Sequence, residues 1–222
     1  MDNFLLIFDN VLEENLVDRL NKAIIDEQLE NPLNFVKKDE LNNCEHPSSA
    51  VNLVHEVIDE LWFDKLSFLD DDSIQGFESW FNLMKDGSGR FTDGLHLHVD
   101  CDEKYYHDNL TILPPKYTLV FYAGPKNSIV GGELAINLNG QEYFNDNTIN
   151  SWLDKNAGIQ QQPEKIKKDT KNWITIPYKY NRLVVFDPKY PHCVLDVESG
   201  TENQGRSTFT IAAWDKEIEV LR

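Results

Sequence analysis

The feature that most limits how this chain can fold is a succession of short β-type runs that begins near residue 76. Runs rich in apolar and β-branched residues alternate there with segments containing Gly, Pro and Asn, a pattern typical of β-sandwiches and barrels. Eight such runs predict an antiparallel double-stranded β-helix, or jelly roll. The predicted strands are Phe77–Met84, Leu95–Asp100, Tyr117–Tyr122, Glu133–Ile136, Trp173–Ile176, Arg182–Phe186, Cys193–Val197 and Ser207–Trp214.

The first 75 residues have a different pattern. A short apolar run before Asp9 predicts a first strand, and Asn10 is placed to cap a helix whose apolar residues fall at helical spacing. A second helix is predicted from Ser48 or Ser49. Because a chain of 222 residues can bury one full core, we predict a single, mainly β domain with flanking helices. Residues 1–75 supply an N-terminal strand and helices, of which the helices pack outside, and residues 76–222 supply the jelly-roll core.

One long segment of the predicted core lacks strand character. Residues 137–172 are polar and contain few apolar anchors. A loop of that length inside a compact domain is usually functional or disordered. We therefore predict a polar insertion that closes over a site as a lid.

Composition excludes several classes of partner. A formal charge of −17 at pH 7 opposes binding to nucleic acid and favours encounter with a basic peptide or a cationic metabolite. The longest apolar runs are far shorter than a membrane span. Three cysteines are too few for a disulfide framework. These observations predict a cytoplasmic protein with no membrane or nucleic-acid partner.

The stretch Gly94–Asp100 carries the first chemical signal. In a strand with this alternation, Leu95, Leu97 and Val99 share one face, and the polar residues share the other. His98 and Asp100 then project in parallel and can bind one metal ion from the same side. The alternative is a solvated polar strand face.

A second signal lies about a hundred residues downstream. The apolar strand Arg182–Phe186 leads to His192, and Arg206 follows fourteen residues later. The order His-x-Asp, distant His and then Arg resembles the iron(II)- and 2-oxoglutarate-dependent dioxygenases, particularly the prolyl 4-hydroxylase-like branch. The segments Gly131-Gly132-Glu133 and Gly205-Arg206-Ser207 fit the same resemblance.

The resemblance implies a function and a set of site residues. It implies an oxidoreductase in which Fe(II) is bound by His98, Asp100 and His192, and Arg206 anchors the far carboxylate of 2-oxoglutarate. Such enzymes use O2 to hydroxylate a peptidyl side chain, prolyl or other, or a small metabolite, and release succinate and CO2. Thr208 shares a strand face with Arg206 and offers a hydroxyl to the same carboxylate.

The chain departs from this branch at one position of the co-substrate site. The branch usually has a tyrosine on the strand before the metal strand, where this chain has Met84. Tyr117 and Tyr122 are the candidates to replace it as ligands of 2-oxoglutarate.

Two other functions stay open at this point. His96-Leu97-His98 followed by Glu103 imitates the ligand spacing of a cupin, and in that arrangement Asp100 is not a ligand. Otherwise His96 lies at the rim of the site. The third possibility is a non-catalytic jelly-roll binding module that retains these residues without turnover.

Overall fold

The computed structural model describes residues 5–26, 33–41, 49–84, 95–127, 129–140, 158–199 and 205–219. Its strands are β1 (Leu5–Asp9), β2 (Leu33–Lys37), β3 (Gly76–Met84), β4 (Leu95–His98), β5 (Tyr117–Gly124), β6 (Val130–Gly131), β7 (Leu134–Asn137), β8 (Trp173–Ile176), β9 (Arg182–Phe186), β10 (His192–Val194), β11 (Val197–Ser199) and β12 (Arg206–Trp214). Its helices are α1 (Glu14–Ile25), α2 (Ser49–Asp59), α3 (Glu103–Asn109) and α4 (Pro163–Lys168). A π-helical turn, Glu60–Lys65, continues α2, and a 3-10 turn, Ile159–Gln161, precedes α4.

The strands form two main antiparallel sheets. The major sheet has the order β1-β9-β5-β12-β3-β2, the minor sheet has the order β4-β10-β7-β8, and β11 pairs with β6. The predicted strands Trp173–Ile176 and Arg182–Phe186 match β8 and β9 residue for residue. The prediction of a mainly β fold with flanking helices is confirmed.

Apolar residues divide into three layers because successive side chains of a strand point to opposite faces. Helices α1 and α2 cover the outer face of the major sheet, where they pack on Leu119, Phe121 and Phe209. The inner faces of the two sheets meet through residues that include Tyr122, Phe186 and Ile136. The functional side chains described below lie on this inner surface.

Residues 1–75 contribute two strands to the major sheet, whereas the sequence predicted one. Strand β1 pairs with β9 and strand β2 pairs with β3, so the two strands form the edges of the major sheet. Helices α1 and α2 do pack outside, as predicted.

The start of α1 also differs from the prediction. The helix begins at Glu14, and Asn10 has a left-handed backbone with φ of 55°. The side chain that satisfies the backbone here is Asn181, whose Oδ1 accepts from the N–H groups of Val11 at 3.1 Å and Leu12 at 3.0 Å. A contact between residues 169 or more positions apart replaces the local cap.

The described part of the polar segment 137–172 is not a loop over the inner surface. Ile159 and Ile166 are buried against Leu97 and Cys193 on the outer face of the minor sheet. The lid prediction is therefore corrected for residues 158–168, and residues 141–157 lie outside the described residues. Among the described helices, none is long and apolar enough to cross a membrane.

Candidate metal centre and co-substrate site

Two short strands of the minor sheet bring the predicted metal ligands together. β10 pairs with β4, and His192 lies directly opposite His98. Asp100 follows two residues after the end of β4. The ligand atoms of His98, Asp100 and His192 all lie within 4.8 Å of one another, and they form the one such group found among the described residues.

Backbone carbonyls set the tautomer of both imidazoles. Nδ1 of His98 lies 2.6 Å from the carbonyl oxygen of His96, and Nδ1 of His192 lies 3.2 Å from that of Tyr190. Because a carbonyl only accepts, each Nδ1 carries the proton and each Nε2 keeps its lone pair. The two rings lie with centroids 4.3 Å apart, and their Nε2 atoms both approach Asp100.

The carboxylate of Asp100 is fixed from a third direction. Its Oδ1 lies 3.7 Å from Nε2 of His98, and its Oδ2 lies 3.6 Å from Nε2 of His192. The hydroxyl of Thr118, on β5, donates to Oδ2 at 2.6 Å. Burial lowers the pKa of His192 to about 4, and the charge of Asp100 only partly opposes this shift. His192 is therefore a neutral imidazole at neutral pH, the form that binds metals.

Arg206 lies on the inner face of the major sheet, at the far end of β5 from Thr118. β12 places Thr208 opposite Tyr122 and Ala212 opposite Thr118. Tyr122 and Thr118 are four residues apart, which corresponds to about 13 Å along the strand. The guanidinium of Arg206 stacks over the ring of Tyr122, with Cζ 5.1 Å from the ring centroid.

Arg206 is a buried cation whose hydrogen-bonding capacity is largely unused. Only 1% of its surface is exposed, and Nη1 makes a weak contact of 3.7 Å with Sδ of Met84. Among the described residues, Nε and Nη2 of Arg206 and the hydroxyl of Tyr122 have no hydrogen-bond partner of good geometry, although the Tyr122 hydroxyl and the guanidinium act on each other. Burial lowers the pKa of Arg206 and raises that of Tyr122. A buried guanidinium in this state is suited to a carboxylate ligand.

Neighbouring residues leave room for that guanidinium, and within the described part of the chain none forms an ion pair with it, although the charge of Glu133 acts on it. Gly132 has φ of +67°, and a Cβ at this position would lie 3.0 Å from Cδ of Arg206. Glu133 is ion-paired with Lys167 at 2.5 Å. Thr208 is buried on the same strand face as Arg206.

Three residues from the sequence predictions do not join these groups. Tyr117 lies on the opposite face of β5 and packs beside Trp62 in the outer core, so its assignment as a ligand of 2-oxoglutarate is corrected. His96 and Glu103 are exposed and are not members of the metal-binding group. The cupin-like arrangement therefore lacks its ligands.

Thr118, Tyr178 and Glu78 of the inner surface were not predicted from the sequence, and Met84 was named only as the residue at the position of the usual tyrosine. Thr118 bonds to Asp100, and the ring of Tyr178 stands edge-on to Tyr122 with centroids 5.4 Å apart. Met84 contacts Arg206, and Glu78 faces the same interior through the pairing of β3 with β12. Tyr122 and Thr118 are four residues apart on β5, so both side chains face inward. Once Tyr122 was assigned to the inner face, this alternation could have identified Thr118 from the sequence.

Comparisons with solved structures identify proteins of the same fold. A Pseudomonas putida prolyl-4-hydroxylase matches with a TM-score of 0.55 and 16% identity, over 96% of this chain and 94% of that one. HygX from Streptomyces hygroscopicus with nickel and 2-oxoglutarate bound matches with a TM-score of 0.52 and 10% identity, over 95% and 83%. A 2OG-Fe(II) oxygenase family protein from Burkholderia pseudomallei matches with a TM-score of 0.52 and 10% identity, over 98% and 87%.

Comparison of the sequence with protein-family models and with curated proteins gives no match. At these low identities the structural likeness establishes the fold. The predicted double-stranded β-helix is thereby confirmed.

Proposed function

We propose that this protein is an Fe(II)- and 2-oxoglutarate-dependent oxygenase that hydroxylates a substrate while 2-oxoglutarate is decarboxylated to succinate and CO2. One observation supports this proposal above all. A two-histidine, one-carboxylate group and an unsatisfied buried guanidinium line the same inner surface, at separate positions. A keto diacid can span such an arrangement, with its keto-acid end at the metal and its far carboxylate at Arg206.

The donor set fits Fe(II). His98, Asp100 and His192 would hold Fe(II) as the two-histidine, one-carboxylate facial triad typical of non-haem iron oxygenases. When bound there, Fe(II) supplies redox chemistry with O2 and three open coordination positions for the keto acid and the gas. The protein contributes the neutral imidazoles, fixed by the carbonyls of His96 and Tyr190, and the carboxylate held by Thr118.

The unpaired N–H donors of Arg206 are the basis for the proposed binding site of 2-oxoglutarate. Arg206 would bind the far carboxylate of 2-oxoglutarate with two N–H groups, and a planar guanidinium matches a carboxylate in this way. The hydroxyls of Tyr122 and Thr208, which are buried on the same face of the major sheet, would complete the contacts. Because Arg206 is buried, bulk water would not compete with these hydrogen bonds.

The cellular setting is also part of the proposal. Cys101 and Cys193 are free thiols, and the Cys193 side chain is packed in an apolar cluster behind the metal strands. Free thiols and a ferrous site are both compatible with a reducing compartment. We therefore place the protein in the cytoplasm, with a small-molecule co-substrate as its first ligand.

The test is an anaerobic titration of the Fe(II)-loaded protein with 2-oxoglutarate, monitored by visible absorption. A keto acid chelating ferrous iron gives a charge-transfer band, whereas succinate, a diacid without the keto group, gives none and serves as the control. Admission of O2 should then release succinate from 2-oxoglutarate. Absence of the band would contradict the proposal, and a band without any O2-dependent succinate would indicate a non-catalytic binding module.

A further inference from the structure

Glu78 is a carboxylate on the inner surface that neither metal binding nor co-substrate binding employs. It lies on β3 opposite Ala212 of β12, and Ala212 lies opposite Thr118 of β5. Directly opposed residues point to the same face of a sheet. Glu78 therefore faces the space that contains Asp100, the partner of Thr118. Two strand spacings, about 10 Å, separate the backbones of Glu78 and Thr118, and the residue between them is an alanine.

No cation of the described chain neutralises this carboxylate. None of the ion pairs among the described residues includes Glu78, and Lys216 is bonded to Asp102 at 2.9 Å. The charges that act on Glu78 come from Asp100, Glu103 and Asp102. Burial, followed by the charge of Asp100, raises the pKa of Glu78 to about 7. An ionised carboxylate in these surroundings is costly unless a cation joins it.

Two aromatic residues accompany Glu78. Trp214 is fully buried on the same face as Ala212, and its indole N–H has no hydrogen-bond partner of good geometry among the described residues. The indole N–H of Trp214 lowers the pKa of the Glu78 carboxyl and so favours its ionised form. Trp80 lies two residues along β3 on the same face and is half-buried. The ammonium of Lys216 already lies over the Trp214 ring, 5.3 Å from its centroid, and Trp80 supplies a further aromatic ring on the same sheet face, which is a favourable setting for an organic cation.

We propose that the substrate carries an ammonium or guanidinium group that pairs with Glu78 beside the metal centre. This inference rests on the proposed oxygenase function and names the chemical class of its substrate. The position of Glu78 on the inner surface would hold the cationic end of the substrate near the metal ligands. The overall charge of −17 assists the approach of such a molecule.

Binding of the cation and of a neutral isostere should differ strongly. A cation that reaches Glu78 gains charge-assisted hydrogen bonds at a half-buried site that is partly shielded from bulk water. An isostere without the charge leaves the carboxylate unpaired, and sites built for a polar partner reject such analogues most effectively. A preference of at least tenfold for the cation is therefore expected.

The experiment uses the full chain loaded with Ni(II), which binds without turnover, and with 2-oxoglutarate. Calorimetry compares N-acetyl-L-lysine methylamide with its norleucine isostere and N-acetyl-L-arginine methylamide with its citrulline isostere. The expected result is a preference of tenfold or more for the cation in at least one pair. Glu78→Gln should abolish that preference, whereas Glu103→Gln, which removes an exposed charge nearby, should retain it.

Each of the other outcomes would contradict either the oxygenase proposal or the assignment of Glu78. Failure of the Ni(II) protein to bind 2-oxoglutarate would overturn the oxygenase proposal. Normal 2-oxoglutarate binding without a cation preference, or a preference that Glu78→Gln retains, would overturn only the assignment of Glu78. The wild-type protein gives a check that needs no variant: the preference should persist at about 0.5 M salt, where surface attraction is screened. Loss of the cation preference at that salt concentration would mean that surface charges cause it, and this result would overturn the inference.

Discussion

At the scale of single residues, the metal ligands are separable from the residues that build the core. Leu97 and Cys193 point to the face opposite His98 and His192 and are buried in an apolar cluster. We expect each of His98→Ala, Asp100→Ala and His192→Ala to abolish Fe(II) binding and 2-oxoglutarate turnover and to leave a folded protein. Anaerobic metal titration and circular dichroism measure the two effects. Unchanged iron affinity in all three variants would eliminate this metal site.

Thr118 is expected to act through Asp100 rather than on the metal itself. Its hydroxyl donates at 2.6 Å to Oδ2, and loss of such an outer hydrogen bond typically weakens metal affinity by about 10–100-fold. Thr118→Val should show this loss in a chelator-competition assay with Co(II), whereas Thr118→Ser should restore the affinity. Thr210→Val, a matched change on β12, should have no effect. Equal affinity of Thr118→Val and wild type would exclude the positioning role.

Arg206 should affect the co-substrate and not the metal. In Arg206→Met the stem volume is largely kept but the partner of the far carboxylate is lost, at a cost of about 2–5 kcal/mol for a buried charge pair. Binding of 2-oxoglutarate should weaken at least tenfold, with Fe(II) affinity near wild type. Arg182→Met is the matched control, because that guanidinium is already paired with Asp9. Tight 2-oxoglutarate binding by Arg206→Met would refute the assignment.

The sequence predicted the separate site residues better than the contacts between them. Alternation along β4 was sufficient to pair His98 with Asp100, since it depends only on strand geometry. The choice between Tyr117 and Tyr122 required the facing direction of β5, which only packing against the helices determines. The bond from Thr118 to Asp100 joins β5 of the major sheet to the segment that follows β4 of the minor sheet, and no local pattern encodes this contact.

At the scale of elements, Asn181 joins the N-terminal segment to the major sheet. Its side chain accepts from Val11 and Leu12, donates to the carbonyl of Leu12 at 2.7 Å, and its own φ is 56°. Asn181→Ala should lower the free energy of unfolding by about 2–4 kcal/mol, because buried backbone groups lose partners and alanine disfavours this φ. Asn181→Asp keeps the acceptor and should lose less. Urea denaturation measures both, and an unchanged midpoint for Asn181→Ala would contradict this role.

Elements with strong periodicity were predictable, and those defined by tertiary contacts were not. β9 and the buried face of α1 follow directly from their apolar patterns. β2 lies in a segment that reads as a polar loop and forms only because β3 offers a free edge. α3 buries no residue and depends on the cap by Asp102, whose Oδ1 accepts from the N–H of Tyr105 at 2.9 Å.

At the scale of the whole molecule, the half-buried Glu78 and the buried His192 give the stability of the metal-free protein opposite dependences on pH. The folded pKa of Glu78, about 7, lies above its ordinary value of 4.5, so its contribution is present below pH 4.5 and lost as the pH rises through 7. The folded pKa of His192, about 4, lies below its ordinary value of 6.5, so its contribution is lost as the pH falls from 6.5 through 4. Between pH 4.5 and 6.5 the two slopes oppose each other.

Substitution of Glu78 should remove one of these two opposing contributions to the pH dependence of stability. Glu78→Gln keeps the shape and removes the ionisable group, so the variant escapes the cost of ionising a half-buried carboxylate. Relative to wild type, its free energy of unfolding should rise by up to about 3 kcal/mol as the pH increases from 4.5 to 7. Urea denaturation in the presence of a chelator measures the difference, and Glu103→Gln should run parallel to wild type. Parallel curves for Glu78→Gln would mean that the Glu78 carboxyl titrates normally, and that the folded protein bears no cost there for a cationic ligand to relieve.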